Sequence, residues 1–164
     1  MRISPAIKGL ITGVLMISTI LLIYYQGKNA DTRLQYIVYA LYGFGIFWTL
    51  ITFRKTAAFT GSFGNLFSHG FRCFIVVTLI MALFYGIFNY SHPEFAEESA
   101  KAYRVELEKS VAKNEILPTD VDNEVATYKK QYTLKLVSGA IFGYLIIGVA
   151  VTAAMSALLM RRKE

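Results

Sequence analysis

The chain has 164 residues, of which 55% are apolar, 15% aromatic and only 17% charged, a composition that favours a membrane protein over a soluble domain. Four apolar stretches, each about 20 residues and so able to cross ~30 Å of hydrocarbon as a helix, leave no room for a soluble enzyme domain. The single cysteine, Cys73, excludes an intramolecular disulfide and any cysteine-based zinc cluster.

Hydropathy predicts four membrane-spanning helices within a single membrane domain, residues 1–164. The predicted spans cover residues 7–25, 34–53, 71–90 and 133–160, and none contains Asp or Glu. The polar run QGKN at 26–29 ends the first span, and Pro93 ends the third because it disfavours helical geometry at the preceding residue. The predicted fold class is therefore all-α, an integral membrane protein with four transmembrane helices in an antiparallel bundle.

Basic residues predict the orientation of the spans, since short cytoplasmic loops are enriched in Lys and Arg. The basic residues expected on the side of both termini are Arg2, Lys8, Arg54, Lys55, Arg72, Arg161, Arg162 and Lys163. We expect the long stems of Lys8, Arg72 and Lys135 to reach the lipid headgroups. Both termini are therefore predicted to be cytoplasmic, and residues 91–132 extracytoplasmic.

Residues 91–132, the outer hairpin, are predicted to form two helices outside the membrane. Ser91 and Glu94 match a capping box at the start of the first helix. Thr119 is predicted to cap the second helix, and no proline follows it before Met160. The second helix and the fourth span are therefore expected to be one continuous helix of about 60 Å, which would couple the hairpin rigidly to that span.

Apolar stripes on these two helices predict a seam. The stripe residues are Ala96, Ala100, Tyr103, Leu107 and Val111 on the first helix and Val121, Val125, Tyr128 and Tyr132 on the second. Charged neighbours are expected to pair along the first helix, as Glu97–Lys101, Arg104–Glu108 and Glu106–Lys109. The predicted partner-binding residues are Tyr103, Leu107, Tyr128 and Tyr132, and the sequence leaves open whether this seam closes on itself or on a partner.

Small residues four positions apart predict close helix–helix packing within the membrane. They are Gly9 and Gly13, Ala82 and Gly86, Gly139 and Gly143, and the series Gly148, Thr152 and Ser156. Packing within one bundle and contacts between copies of the chain are both compatible with this spacing. Gly43 and Gly45 lack the spacing and are interpreted as making room for neighbouring aromatic rings.

The connection between the second and third spans carries a predicted membrane-interface stripe. Phe59, Phe63 and Phe67 recur every four residues behind Arg54 and Lys55. Such a stripe can lie among anionic headgroups, as can the basic tail Arg161, Arg162 and Lys163. The alternative is that Ser62 begins the third helix early and that its first turns pack on the bundle.

No arrangement of residues predicts catalysis, a bound metal or a cofactor. His69 and His92 flank opposite ends of the third span, about 30 Å apart, and cannot share a metal. The acidic residues at 120–124 resemble the opening of a calcium loop but lack its glycine and its bidentate glutamate. The chain is therefore predicted not to be an enzyme and not to bind nucleic acid.

Three segments resemble the bacterial membrane proteins grouped as domain of unknown function 4199. They are GSFGNLFSHGF at 61–71, HPEF at 92–95 and GVAVTAAMSALL at 148–159. The resemblance covers nearly the whole chain and implies a four-span inner-membrane protein of a diderm bacterium with no assigned activity. We therefore expect a non-enzymatic interaction or accessory protein, with the bilayer, another membrane or periplasmic protein, or its own copies as partners; the alternative is a small transporter or oligomeric channel.

Overall fold

A computed structural model of the chain describes residues 3–27, 32–112 and 117–160; most of these residues are helical, and no strand occurs among them. The helices are α1 Pro5–Tyr25, α2 Thr32–Arg54, α3 Phe63–Ser91, α4 Glu94–Ala112 and α5 Val121–Leu159, with a 3-10 turn at Pro118–Asp120. Four segments of this part of the chain are long and apolar enough to cross a membrane: Pro5–Tyr25, Arg33–Arg54, Phe63–Ser91 and Pro118–Leu159. The all-α prediction and its four apolar helices are confirmed.

Local hydrogen bonds explain both ends of α1. The Ser4 hydroxyl accepts from the amide of Ile7 at 3.3 Å, and Pro5 follows at the first helical position, where its missing N–H is not needed. At the other end Gly27 has a φ of +67° and donates its amide to the carbonyl of Tyr24 at 2.9 Å. The predicted stop after Tyr25 is confirmed for Gln26 and Gly27; residues 28 and 29 lie outside the described residues.

The third helix begins before the predicted span. The Ser62 hydroxyl accepts from the amide of Asn65 at 3.3 Å, so that α3 starts at Phe63. Gly61, with a φ of +82°, provides the turn that precedes it. The alternative in which Ser62 starts this helix early is confirmed.

Two predicted helix caps are wrong. Ser91 is the last residue of α3, because the apolar run before it continues as helix, and a residue inside a helix cannot adopt the extended backbone of a cap. Thr119 lies in the 3-10 turn that Pro118 opens with its fixed φ, and α5 begins at Val121. The predicted turn at 114–118 falls largely on residues 113–116, which lie outside the described residues.

Helix α5 runs without interruption for 39 residues, about 60 Å at the rise of an α-helix. It contains Gly139, Gly143 and Gly148, and its helical hydrogen bonds continue past each of them. The predicted continuous helix is confirmed to within one residue at either end.

The chain divides into two compact units. The first, called the glycine-packed unit here, comprises residues 1–81 and 140–164 and contains α1, α2, most of α3 and the second half of α5. The largest of its fully buried side chains are Tyr42, Phe74, Met16, Ile46, Leu50, Leu66, Met81 and Val77. Within its core the Tyr42 hydroxyl donates to the carbonyl of Tyr144 at 2.9 Å.

The second unit, called the seam unit here, comprises residues 82–139: the end of α3, all of α4 and the first half of α5. Its buried apolar side chains are small in number, namely Ala100, Leu107 and Val121 among the described residues. These three positions belong to the predicted stripes. The stripe pattern therefore correctly identified the covered faces of α4 and α5.

Candidate functional site

Glycines bring the helices of the glycine-packed unit close together. A Cβ added to Gly9 would lie 2.5 Å from the carbonyl oxygen of Cys73, which places α1 directly on the backbone of α3. A Cβ at Gly45 would overlap the side chain of Thr12, so α1 is equally close to α2. The sequence analysis missed Gly45, because it lacks the four-residue spacing.

The other small residues differ in their surroundings. Cβ atoms added at Gly13, Gly70 and Gly148 would press against Ile80, against Thr152, and against Tyr42 and Phe74, respectively. Thr152 and Ser156 are fully buried, whereas Ala82 is half-buried and a Cβ at Gly86 would make ordinary contact with Val137 at 3.8 Å. A Cβ at Gly139 or Gly143 would meet nothing within 4 Å, so a packing role for those two glycines stays a prediction.

The close approach of α1 and α2 determines where Lys8 lies. Lys8 is four residues before Thr12, so both side chains leave α1 on the face that meets α2. Its side chain is only 7% exposed, and its ammonium donates to the hydroxyl of Thr52 and lies 5.2 Å from the centre of the Trp48 ring. Residues of α2 therefore cover Lys8 rather than leaving its stem free on the surface, and its contact with lipid headgroups stays a prediction.

Lys8 lines a cavity of about 590 Å³ at this end of the glycine-packed unit. The cavity lies between the start of α1, the end of α2, the connection that follows and α3. Its lining residues are Ile3, Ser4, Pro5, Lys8, Trp48, Thr49, Thr52, Phe53, Lys55, Thr56, Ala58 and His69. The volume falls within the range of about 300–1,000 Å³ typical of small-molecule sites.

One wall of the cavity is an aromatic pair. The rings of His69 and Phe53 stack with centres 3.4 Å apart and planes 12° from parallel. The Nδ1 atom of His69 is 3.1 Å from the carbonyl oxygen of Asn65, and since a carbonyl only accepts, Nδ1 carries the hydrogen.

The charges around this cavity have one sign. Lys8 and Lys55 line it, and the described residues of the glycine-packed unit include no Asp or Glu. In the whole sequence only Asp31 and Glu164 are acidic outside positions 94–124, and neither is among the described residues. The lining therefore combines cations, hydroxyls and apolar surface.

The predicted interface stripe lies close to this end. Arg54 and Lys55 are exposed; Phe59 packs edge-on against Phe53 with ring centres 6.0 Å apart. Phe63 and Phe67 stack on each other at 5.7 Å, Phe63 being exposed and Phe67 half-buried. Their contact with a membrane stays a prediction, and Arg161, Arg162 and Lys163 lie outside the described residues.

In the seam unit, three of the four predicted partner-binding residues form one aromatic cluster where α4 meets α5. The rings of Tyr103 on α4 and Tyr128 on α5 stack with centres 4.4 Å apart, and Tyr132 lies 6.3 Å from Tyr128. The ammonium of Lys135 lies 5.1 Å from the centre of the Tyr128 ring. Leu107 is 5% exposed, so the seam is closed within this chain.

Ion pairs between helices flank the seam. Lys129 donates to the Glu97 carboxylate at 2.8 Å, and Arg104 donates to Asp122. The hydrogen bond from Lys129 lowers the pKa of Glu97, and the charges of Lys129 and Lys101 add to that effect. The expected pairs along α4 are thus replaced, at Glu97 and Arg104, by pairs that join α4 to α5.

No group of three or more metal-binding side chains occurs among the described residues. The described residues define the class of protein: it is all-helical, with four helices long and apolar enough to cross a membrane.

The sequence model of the family described as "protein of unknown function (DUF4199)" matches residues 8–162, and the chain belongs to that family. The family confirms the resemblance carried by residues 61–71, 92–95 and 148–159. No curated protein and no solved structure matches the chain.

Proposed function

We propose that the protein is a multi-pass protein of the bacterial inner membrane that acts by binding other proteins rather than by catalysing a reaction. In this proposal the four apolar helices form an antiparallel bundle with both termini in the cytoplasm. Residues 91–132 form a helical hairpin on the extracytoplasmic side, and a membrane or periplasmic protein, or a second copy, binds there.

The observation that carries this proposal is the closed seam. Tyr103, Leu107 and Tyr128 pack against the chain itself, and two ion pairs hold α4 to α5. A loop that only connects two spans does not need such internal packing, whereas a presented binding surface does, because ordering before binding lowers the entropic cost of association. The partner would then meet the opposite face of α4, where Glu98 and Val105 are exposed.

Cysteine labelling tests the orientation. In a Cys73→Ser background, Glu98→Cys and Lys55→Cys each provide one exposed thiol. A membrane-impermeant maleimide should label Glu98→Cys in cells whose outer membrane alone is permeabilised, and Lys55→Cys only after the inner membrane is opened. The reverse pattern would reject the proposed topology.

Photo-cross-linking tests the binding role. A photoreactive amino acid replacing Val105, on the exposed face of α4, should give a discrete cross-linked product in living cells that mass spectrometry identifies. The matched control replaces Phe142 of α5, an exposed residue within an apolar helix, and should give lipid adducts only. If the Val105 variant yields no protein adduct while the folded chain is present at normal levels, the interaction role is wrong.

A small transporter or oligomeric channel is the second candidate. It is favoured by Thr152 and Ser156, whose buried hydroxyl oxygens have no hydrogen-bond partner among the described residues. Buried hydroxyls without partners are costly unless something else binds them. Liposomes that contain the purified chain should then release ions or small metabolites, and Thr152→Val should reduce that release; tight liposomes across several gradients would reject this candidate.

A further inference from the structure

Lys8 is a buried cation whose described partners do not neutralise it. Its ammonium has three N–H donors. One donates to the hydroxyl of Thr52, which in turn donates to the carbonyl of Trp48 at 2.8 Å, and the Trp48 ring supplies a neutral face. A desolvated charge is costly unless an opposite charge or several hydrogen bonds compensate it.

The surroundings of Lys8 fit an anion. Lys55 lines the same cavity, and the described residues of this unit include no carboxylate that would repel a negative ligand or pair with Lys8. The Ser4 hydroxyl on the lining accepts from an amide and keeps its own hydrogen for an oxyanion. The hydroxyls of Thr49, Thr52 and Thr56 also lie along the lining, but each already donates to a backbone carbonyl. Ile3, Phe53 and Ala58 add apolar surface beside these groups.

We propose that this cavity binds the phosphate group of an anionic ligand, with Lys8 as its buried cation and Lys55 as its second. The proposal goes beyond the interaction role of the hairpin and does not depend on it. Two sources can supply the same chemistry. One is an anionic phospholipid, whose phosphate lies at the level where apolar helices such as α1 begin, and the other is a free phosphate from solution.

The position and the lining favour a lipid headgroup. Lys8 lies in the first turn of an apolar 21-residue helix, and the exposed aromatic ring of Phe63 and the cations Arg54 and Lys55 occur at the same end of the unit. A volume of about 590 Å³ exceeds what one phosphate ion fills and admits a glycerol phosphate.

The chain contains its own reporter for this site. Trp48 is the single tryptophan of the sequence, and it lines the cavity with its ring 5.2 Å from the Lys8 ammonium. An anion that pairs with Lys8 changes the field at the indole and therefore its fluorescence. Binding can thus be followed on the intact chain without a label.

The test titrates the full chain in dodecyl maltoside micelles with phosphatidylglycerol, and separately with phosphatidylcholine of the same acyl chains and with inorganic phosphate at constant ionic strength. Phosphatidylglycerol should give a saturable change in Trp48 fluorescence at a concentration at least roughly tenfold below phosphatidylcholine, because the trimethylammonium group of the latter is repelled by both lysines. An equal response to inorganic phosphate would identify a free phosphate as the source. Equal responses to the two lipids, or no saturable response to phosphatidylglycerol and phosphate, would overturn the proposal.

Variants assign the response to Lys8. Lys8→Gln should raise the half-saturating concentration roughly tenfold, whereas Lys8→Arg and the exposed control Lys130→Gln should leave it nearly unchanged. A Lys8→Gln chain that titrates like the parent would overturn the proposal. If Lys8→Gln loses its helical circular dichroism, the same titration is made with Lys55→Gln, which changes an exposed residue. A half-saturating concentration raised roughly threefold supports the site, and an unchanged one overturns it.

Discussion

Different interactions hold the helices together within each of the two units of this chain. In the glycine-packed unit, helices touch at positions where a Cβ does not fit, such as Gly9 against the carbonyl of Cys73. In the seam unit, α4 and α5 are joined by a tyrosine stack and by two ion pairs. Close backbone approach suits helices surrounded by lipid, where burying apolar surface gives no advantage, whereas an apolar seam with charged edges suits helices in water.

The largest expected effect concerns the apolar seam. Leu107→Ala should destabilise the seam unit by about 2–5 kcal/mol, because it leaves a cavity between α4 and α5. Val105→Ala, on the same helix at a position 52% exposed, should change stability by less than about 0.5 kcal/mol. Hydrogen exchange of the α4 amides in micelles measures both, and equal exchange in the two variants would show that Leu107 does not stabilise the seam.

The glycine contacts come next. Gly9→Ala should destabilise the glycine-packed unit by about 1–3 kcal/mol, because its Cβ would meet backbone that cannot rotate away. Gly139→Ala is the matched control: it meets open space and should stabilise α5 by about 0.5–1 kcal/mol through helix propensity. Unfolding in mixed micelles with increasing SDS measures the difference. If both variants are stabilised, close backbone approach does not hold this unit together.

A buried hydrogen bond gives a smaller effect in the same unit. Tyr42→Phe removes the hydroxyl that donates to the Tyr144 carbonyl and should cost about 1 kcal/mol. Tyr39→Phe serves as the control, because Tyr39 is exposed and its ring contact with Tyr144 does not need the hydroxyl. The same SDS titration should separate the two variants, and identical midpoints would contradict the assigned role of the hydroxyl.

The ion pair at the edge of the seam gives the smallest effect, visible as a pH dependence. The pKa of Glu97 is lowered in the folded chain, so its stabilising contribution is present above the ordinary glutamate pKa of 4.5 and is lost as the pH falls through the folded value. Protection of α4 against hydrogen exchange should therefore decrease below about pH 4.5 more in the parent than in Glu97→Gln. Identical pH profiles would show that the pair with Lys129 is not formed in solution.

Much of the fold could be predicted because hydropathy and periodicity are local. The four apolar runs, the end of α1 at Tyr25 before Gly27 and the covered stripe through Ala100 and Leu107 all follow from the order of residues along the chain. The predicted caps at Ser91 and Thr119 are wrong for a local reason too. The residues before Ser91 continue α3 through it, and Pro118 opens a 3-10 turn before α5.

The candidate cavity could not be predicted, since its residues are separated along the sequence and come together only through packing. A lysine near the end of an apolar run, such as Lys8, is expected to reach the headgroups. Nothing near Lys8 in the sequence predicts its contacts with Thr52 and Trp48. Gly45 meets Thr12 although it has no glycine or alanine four positions away. Such a contact depends on which faces of two helices meet.

The sequence by itself determined the class of protein, the helices and the polarity of their faces, because these depend on the cost of placing each residue in apolar surroundings or in water. Only the tertiary structure decided that the tyrosine seam closes within the chain, that Glu97 and Arg104 pair across helices, and that Lys8 is covered. The physical reason is that a pattern fixes which face of a helix is apolar, while the neighbour that covers this face is chosen by the close fit of side chains between distant parts of the chain.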